Sequence, residues 1–173
     1  MRTVVLDPPT SGFEELLERR RRSGLDRFDE VWEGVLHMVP APIGEHADIS
    51  HQLAVTLNGP ARAAGLWPTM AEFNLGDSEH DYRVPDGGLH RERLRGAWHH
   101  TAALLVEIAS PNDESWQKLP FYAAHDVDEV LIVDPLERRI HWLGLLDGEY
   151  APIERSALID LGPQELAEQI DWP

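Results

Sequence analysis

The chain has 173 residues, 42% of them hydrophobic and 27% charged, the proportions of one soluble globular domain that removes about 70% of its unfolded surface from water. It contains no cysteine, which excludes disulfide staples, thiolate zinc sites and cysteine nucleophiles. With no run near the roughly 18 apolar residues of a membrane span and no secretory pattern at the start, a cytoplasmic location is the default expectation. Against 15 Lys and Arg stand 31 Asp and Glu, a formal net charge of −16, which opposes the approach of a polyanion unless the basic residues are concentrated.

Along the chain, Ser11-Gly12-Phe13-Glu14 has the spacing of a capping box. Leu16 and Leu17 follow it and Gly24 stops it, so residues 12–23 are predicted to form a helix. The arginines at 19–22 read as its solvated end, where cations suit the macrodipole. Residues 28–32 and 35–39 flank Glu33-Gly34 and predict a hairpin that ends at Pro40-Ala41-Pro42. From His46 onward, Ile49, Leu53 and Leu57 recur at helical spacing toward Pro60 and Gly65, a helix whose apolar stripe should lie on a sheet.

Strands are predicted at 66–75, 82–89, 103–109, 129–134 and 139–146, the last turning at Asp147-Gly148. Between the third and fourth, Asn112 or Asp113 caps a helix through Lys118 and Tyr122 to about residue 125, which Pro120 should kink or split in two. Residues 163–170 read as a final short helix with proline in its first turn. Neither repeat nor linker interrupts the series, so the expectation is a single mixed α/β (α+β) domain over 1–173.

Three side chains carry candidate chemistry. Asp86 follows Pro85, which fits a strand edge or bulge; its plainer reading is a turn aspartate, with Gly87 and Gly88 serving the turn. Glu107 lies in the apolar run Leu104-Leu105-Val106-Glu107-Ile108-Ala109, where a buried charge needs a cation or a function, although an edge strand could turn it to solvent. Lys118 alone reads as an i,i+4 partner of Glu114 on an exposed helix face. The loop 110–113, however, is short enough to return it beside the strand end that holds Glu107.

Two strand-borne carboxylates and an ammonium are a minimal kit for magnesium-assisted phosphodiester hydrolysis. The metal clamps phosphate oxygens and activates water, while the ammonium holds that water or neutralises charge at phosphorus. The nine histidines include no HExxH and no i,i+4 pair, so no zinc site is expected; His99-His100 reads as a surface loop pair and His46 as a core or supporting group. Without GxSxG, GxGxxG or a P-loop, serine-hydrolase, Rossmann and nucleotide-triphosphatase readings have no foothold.

The ordered series Glu30-Val31-Trp32-Glu33-Gly34-Val35-Leu36-His37-Met38-Val39-Pro40, His46, Arg83-Val84-Pro85-Asp86, Val106-Glu107-Ile108-Ala109-Ser110-Pro111, Lys118-Leu119-Pro120-Phe121-Tyr122 and Glu129-Val130-Leu131-Ile132-Val133-Asp134-Pro135 resembles the Uma-two family of restriction endonucleases within the PD-(D/E)XK superfamily. It spans about residues 12–146. The resemblance implies a restriction-endonuclease-like central mixed sheet flanked by helices, with DNA as substrate. Asp86 and Glu107 would be ligands of Mg2+, for which Mn2+ can substitute, and the Ile108 carbonyl would complete the shell.

The superfamily's lysine two residues after the Glu is here Ala109, and Lys118 matches the lysine this family carries on the following helix. Glu33 and His46 match further family positions and are expected to support the site. Cutting both strands of a duplex takes two sites, so a homodimer is expected. Two rivals stay open: a non-catalytic interaction or regulatory module, which the net charge favours, and a hydrolase of a small phosphoester in a closed pocket. A basic patch from residues 19–22, Arg62, Arg91, Arg93 and Arg95 on the side of Asp86 would favour the nuclease.

Overall fold

A computed structural model describes residues 11–42, 44–110 and 114–173; the side chain of Ser11 and the caps Asn112 and Asp113 lie outside the described residues. The predicted first helix is α1 (Ser11–Ser23), which passes through the left-handed Gly24 into a 3-10 turn at Leu25–Phe28. Its arginine run is not uniformly solvated. Arg20 is tied down by a buried Asp29, donating from Nε over 2.9 Å and from Nη2, and it also reaches the Val39 carbonyl at 2.8 Å.

The hairpin forms as β1 (Glu30–Trp32) and β2 (Val35–His37), shorter than predicted, with Trp32 opposite Val35. Both turn residues, Glu33 and Gly34, have positive φ (49° and 84°), the two-residue turn that matches the twist of antiparallel strands. Next comes α2 (Gly44–Ala63), whose Ile49, Leu53 and Leu57 are fully buried, as the stripe predicted, and are joined there by Ala61. Pro60 sits inside this helix without ending it.

Where one strand was expected at 66–75 there are two, β3 (Trp67–Thr69) and β4 (Asn74–Ser78), and likewise β5 (Asp81–Arg83) and β6 (Gly87–His90) replace 82–89. A short β7 (Trp98–His99) was not anticipated. Then follow β8 (Leu104–Ile108), a 3-10 turn at Ser115–Lys118, α3 (Leu119–Ala124), β9 (Glu129–Asp134), β10 (Arg139–Leu146), β11 (Glu149–Pro152) and α4 (Pro163–Ala167). Pro120 thus leaves two short helical pieces rather than one, and β9 and β10 have the predicted bounds.

Two mixed sheets result instead of one central sheet. The larger runs β11-β10-β9-β8-β6-β3, antiparallel except for the parallel pair β8·β9; the other runs β2-β1-β5-β4-β7, antiparallel except for β4·β7. The chain changes sheet twice between Trp67 and His90. The second change, from β5 to β6, uses Val84-Pro85-Asp86, where proline cannot donate to a ladder.

Side chains alternate across a strand, and this fixes where Glu107 points. Leu104, Val106 and Ile108 of β8 join α2 and α4 in one core, while Leu105 joins Leu75, Tyr122, Val130 and Ile132 in a second core on the opposite face. Glu107, two residues on from Leu105, shares its face and therefore points to the second core, toward α3 and the smaller sheet.

Candidate active site

Asp86 stands where the chain crosses into the larger sheet. Its amide donates to the Val106 carbonyl at 3.0 Å, and the paired ladder of β6 and β8 begins one residue later, at Gly87 opposite Val106. The side chain spans the end of β8: Oδ2 accepts from the Ile108 amide at 2.7 Å and Oδ1 lies 2.9 Å from His46 Nε2. His46, in the first turn of α2, is thereby brought over the same strand ends. Burial opposes its charging, yet the Asp86 hydrogen bond and charge, with Glu107 and Glu72 behind them, hold its pKa above the ordinary imidazole value.

Glu107 is 3% exposed. Lys118 Nζ donates to both its oxygens, at 3.0 and 3.1 Å, and the Tyr122 hydroxyl donates to Oε1. Lys118 and Tyr122 are four residues apart, so they share a face at the junction of the 3-10 turn and α3. The exposed-face reading of Lys118 fails for this reason, and Glu114 instead meets His37 at 3.1 Å.

The same ammonium lies 2.8 Å from Glu30 Oε1, a residue the sequence reading gave no role. Glu30 is 2% exposed; its Oε1 also accepts from the Val84 amide at 2.8 Å and its Oε2 from Trp32 Nε1 at 2.7 Å. It therefore anchors Lys118 and the sheet-switching segment together. Burial, reinforced by Asp86 and Glu30 and offset in part by Lys118, pushes the Glu107 carboxyl up to about 8. The desolvation that would discharge Lys118 is outweighed by Glu107 and Glu30, which raise its pKa and keep it an ammonium.

Asp86, Glu107, Lys118, His46 and the Ile108 backbone are thus gathered at one end of β8. Glu33 is not among them: it occupies the exposed hairpin turn, its amide on Asp81 Oδ1 at 3.1 Å, and the buried carboxylate of that hairpin is Glu30. Of the residues that sequence reasoning missed, Tyr122 had a signal as the i+4 neighbour of Lys118, whereas Glu30, preceded by Asp29, had none.

Arg62, Arg91 and Arg93 do not collect on the side of Asp86. Arg62 and Arg93 both lie over the Trp67 ring, at 4.4 and 4.2 Å, and Arg62 is about 24 Å up α2 from His46 at 1.5 Å rise per residue. Arg91 follows the end of β6 opposite Asp86 and pairs with Asp128 at 2.6 Å. Arg83 is buried against Trp32 and Phe121 and is bonded to the Val31 carbonyl, so it is a packing group rather than a surface cation.

The family model described as "Putative restriction endonuclease", Uma2, matches residues 13–170. The chain belongs to the Uma2 family. The description of that family is one of nucleases. No curated protein matches the chain. Among solved structures, a putative nuclease belonging to DUF820 from Anabaena variabilis ATCC 29413 superposes with a TM-score of 0.62 at 15% identity, covering 82% of this chain and 90% of that one. At that identity the likeness is one of fold, and it agrees with the restriction-endonuclease-like architecture expected from the sequence. No described helix of the Uma2 chain is long and apolar enough to cross a membrane.

Proposed function

We propose that this Uma2 domain hydrolyses DNA phosphodiester bonds with a divalent cation, Mg2+ or in its place Mn2+, held by the carboxylates of Asp86 and Glu107 and the carbonyl of Ile108. The observation that carries this reading is the joining of Asp86 to Ile108 across the end of β8 while Lys118 grips the adjacent Glu107. The donors fit a hard cation: they are oxygens, and Asp86, Glu107 and Glu30 outnumber the single ammonium between them. Mutual repulsion among these carboxylates contributes to the raised Glu107 pKa, and a cation relieves it.

When bound, the cation neutralises phosphate charge and lowers the pKa of the attacking water. His46 and the Ile108 amide fix the orientation of Asp86, so this carboxylate arrives pre-set. Glu30 keeps Lys118 in place when Glu107 turns an oxygen toward the cation. Lys118 then has an N–H to hold the attacking water or to meet charge developing on the phosphoryl oxygens. Tyr122 limits the rotation of Glu107. A homodimer gives the two sites that two antiparallel strands require.

The test is nicking of supercoiled plasmid with Mg2+ or Mn2+ by wild type, Glu107→Gln and Lys118→Ala. The expected result is cleavage by wild type and a loss of at least about 100-fold in both variants, the scale of one lost electrostatic group, with circular dichroism unchanged. Cleavage surviving Glu107→Gln overturns the assignment. A second reading, a non-catalytic interaction module on the same fold, is favoured by the engagement of both Glu107 oxygens and by the placing of Arg62 and Arg93 away from Asp86. It predicts no cleavage with either cation.

A further inference from the structure

Outside that cluster, three side chains from distant parts of the sequence converge: Asp77 of β4, His100 just after β7, and His125 at the end of α3. Among the described residues they are the one His and carboxylate group whose ligand atoms all lie within 4.8 Å of one another. We infer that Asp77, His100 and His125 form a second metal centre, for a borderline transition cation of the Zn2+ class. It rests on none of the residues assigned to hydrolysis.

The donors are already oriented. His100 Nδ1 lies 2.8 Å from Asp77 Oδ1, and His125 Nε2 lies 3.9 Å from Asp77 Oδ2. The other nitrogen of His125, Nδ1, donates to the Phe121 carbonyl at 2.8 Å, which leaves the lone pair on Nε2 and directs it at Asp77. A backbone carbonyl on the far nitrogen is the usual device that fixes the tautomer of a metal-binding imidazole. The His125 ring is held by packing as well, with Phe121 at 4.0 Å and His100 at 5.2 Å between ring centroids. Thr101 Oγ1, donating to the Asp126 carbonyl at 3.0 Å, pins the His100 segment beside the helix end.

Two imidazoles and one carboxylate suit Zn2+ and its neighbours; Mg2+ prefers oxygens. Zinc bonds of about 2.0 Å place tetrahedral ligands about 3.3 Å apart, so the group contracts by at most about 1.5 Å. Asp77 and His100, 69% and 59% exposed, have the freedom to do this around a fixed His125, which is 13% exposed. On binding, neutral His100 moves its ring proton from Nδ1 to Nε2 and presents Nδ1, and solvent fills the fourth position. The cation ties β4 of the smaller sheet to α3, the helix that carries Tyr122, so its binding stabilises that junction.

The experiment titrates wild type, His100→Ala, Asp77→Asn and Glu107→Gln with Zn2+ against a chromophoric chelator, and with Co2+ read by its d–d absorption. One equivalent of Zn2+ is expected in wild type and Glu107→Gln, weakened at least about tenfold in the other two, the effect of losing a ligand or its orienting partner. The Co2+ band of a four- or five-coordinate site appears only in the first pair. The inference is overturned if wild type takes no Zn2+ from the chelator, if His100→Ala and Asp77→Asn bind as wild type does, or if Glu107→Gln alone abolishes binding.

Discussion

His90 lies buried on β6 beside Phe73, ring centroids 4.9 Å apart, with neither ring nitrogen bonded among the described residues. Burial, helped by His99, lowers its pKa to about 4. With an unfolded value near 6.5, the unfolded chain binds more protons between those limits. This contribution to stability is present above pH 6.5 and is lost as pH falls toward 4. Replacing His90 by Leu should therefore reduce the stability lost between pH 7 and pH 4.5 in urea unfolding, and an unchanged acid loss would show that His90 does not couple protonation to the fold. Among single residues, Glu107 was legible because its apolar neighbours make a charge there costly. Glu30 was not, because its partners Val84 and Lys118 lie far along the chain and no local pattern announces them.

At the level of elements, α2 follows from its helical stripe, and β9 and β10 follow from apolar runs that feed both cores. The segments 66–75 and 82–89 misled because an apolar run reports burial and not which sheet provides it; only Pro85 marked the break. Beyond that break, glycine is needed at 88: a Cβ there would sit 2.9 Å from the Leu104 carbonyl oxygen and 3.2 Å from the Phe73 ring. Gly88→Ala should force β6 away from β8, lowering stability by about 1–3 kcal/mol in denaturant unfolding. A neutral effect would mean that this strand pair is looser than described. The Asp77, His100 and His125 group was illegible for an element-level reason, since β4, β7 and α3 each bring one ligand and none carries a metal-binding spacing.

For the whole molecule, the sequence conveyed the fold family and the residues gathered at the end of β8, but not how a chain of net charge −16 meets a polyanion. Of the arginines named for that purpose, Arg20, Arg91, Arg62 and Arg93 are engaged by Asp29, Asp128 and the Trp67 ring, and in the proposed mechanism a bound cation supplies positive charge at the site. The proposed hydrolysis therefore depends on cation binding at Asp86 and Glu107. That binding is tested without any guess about substrate by thermal unfolding of wild type, Asp86→Ala and Glu107→Ala over a series of Mg2+ concentrations. A native-state ligand raises stability by RT ln(1 + [L]/Kd), so wild type should gain stability with Mg2+ while neither variant does and both remain folded without it. No gain in wild type, or an equal gain in the variants, would contradict the account.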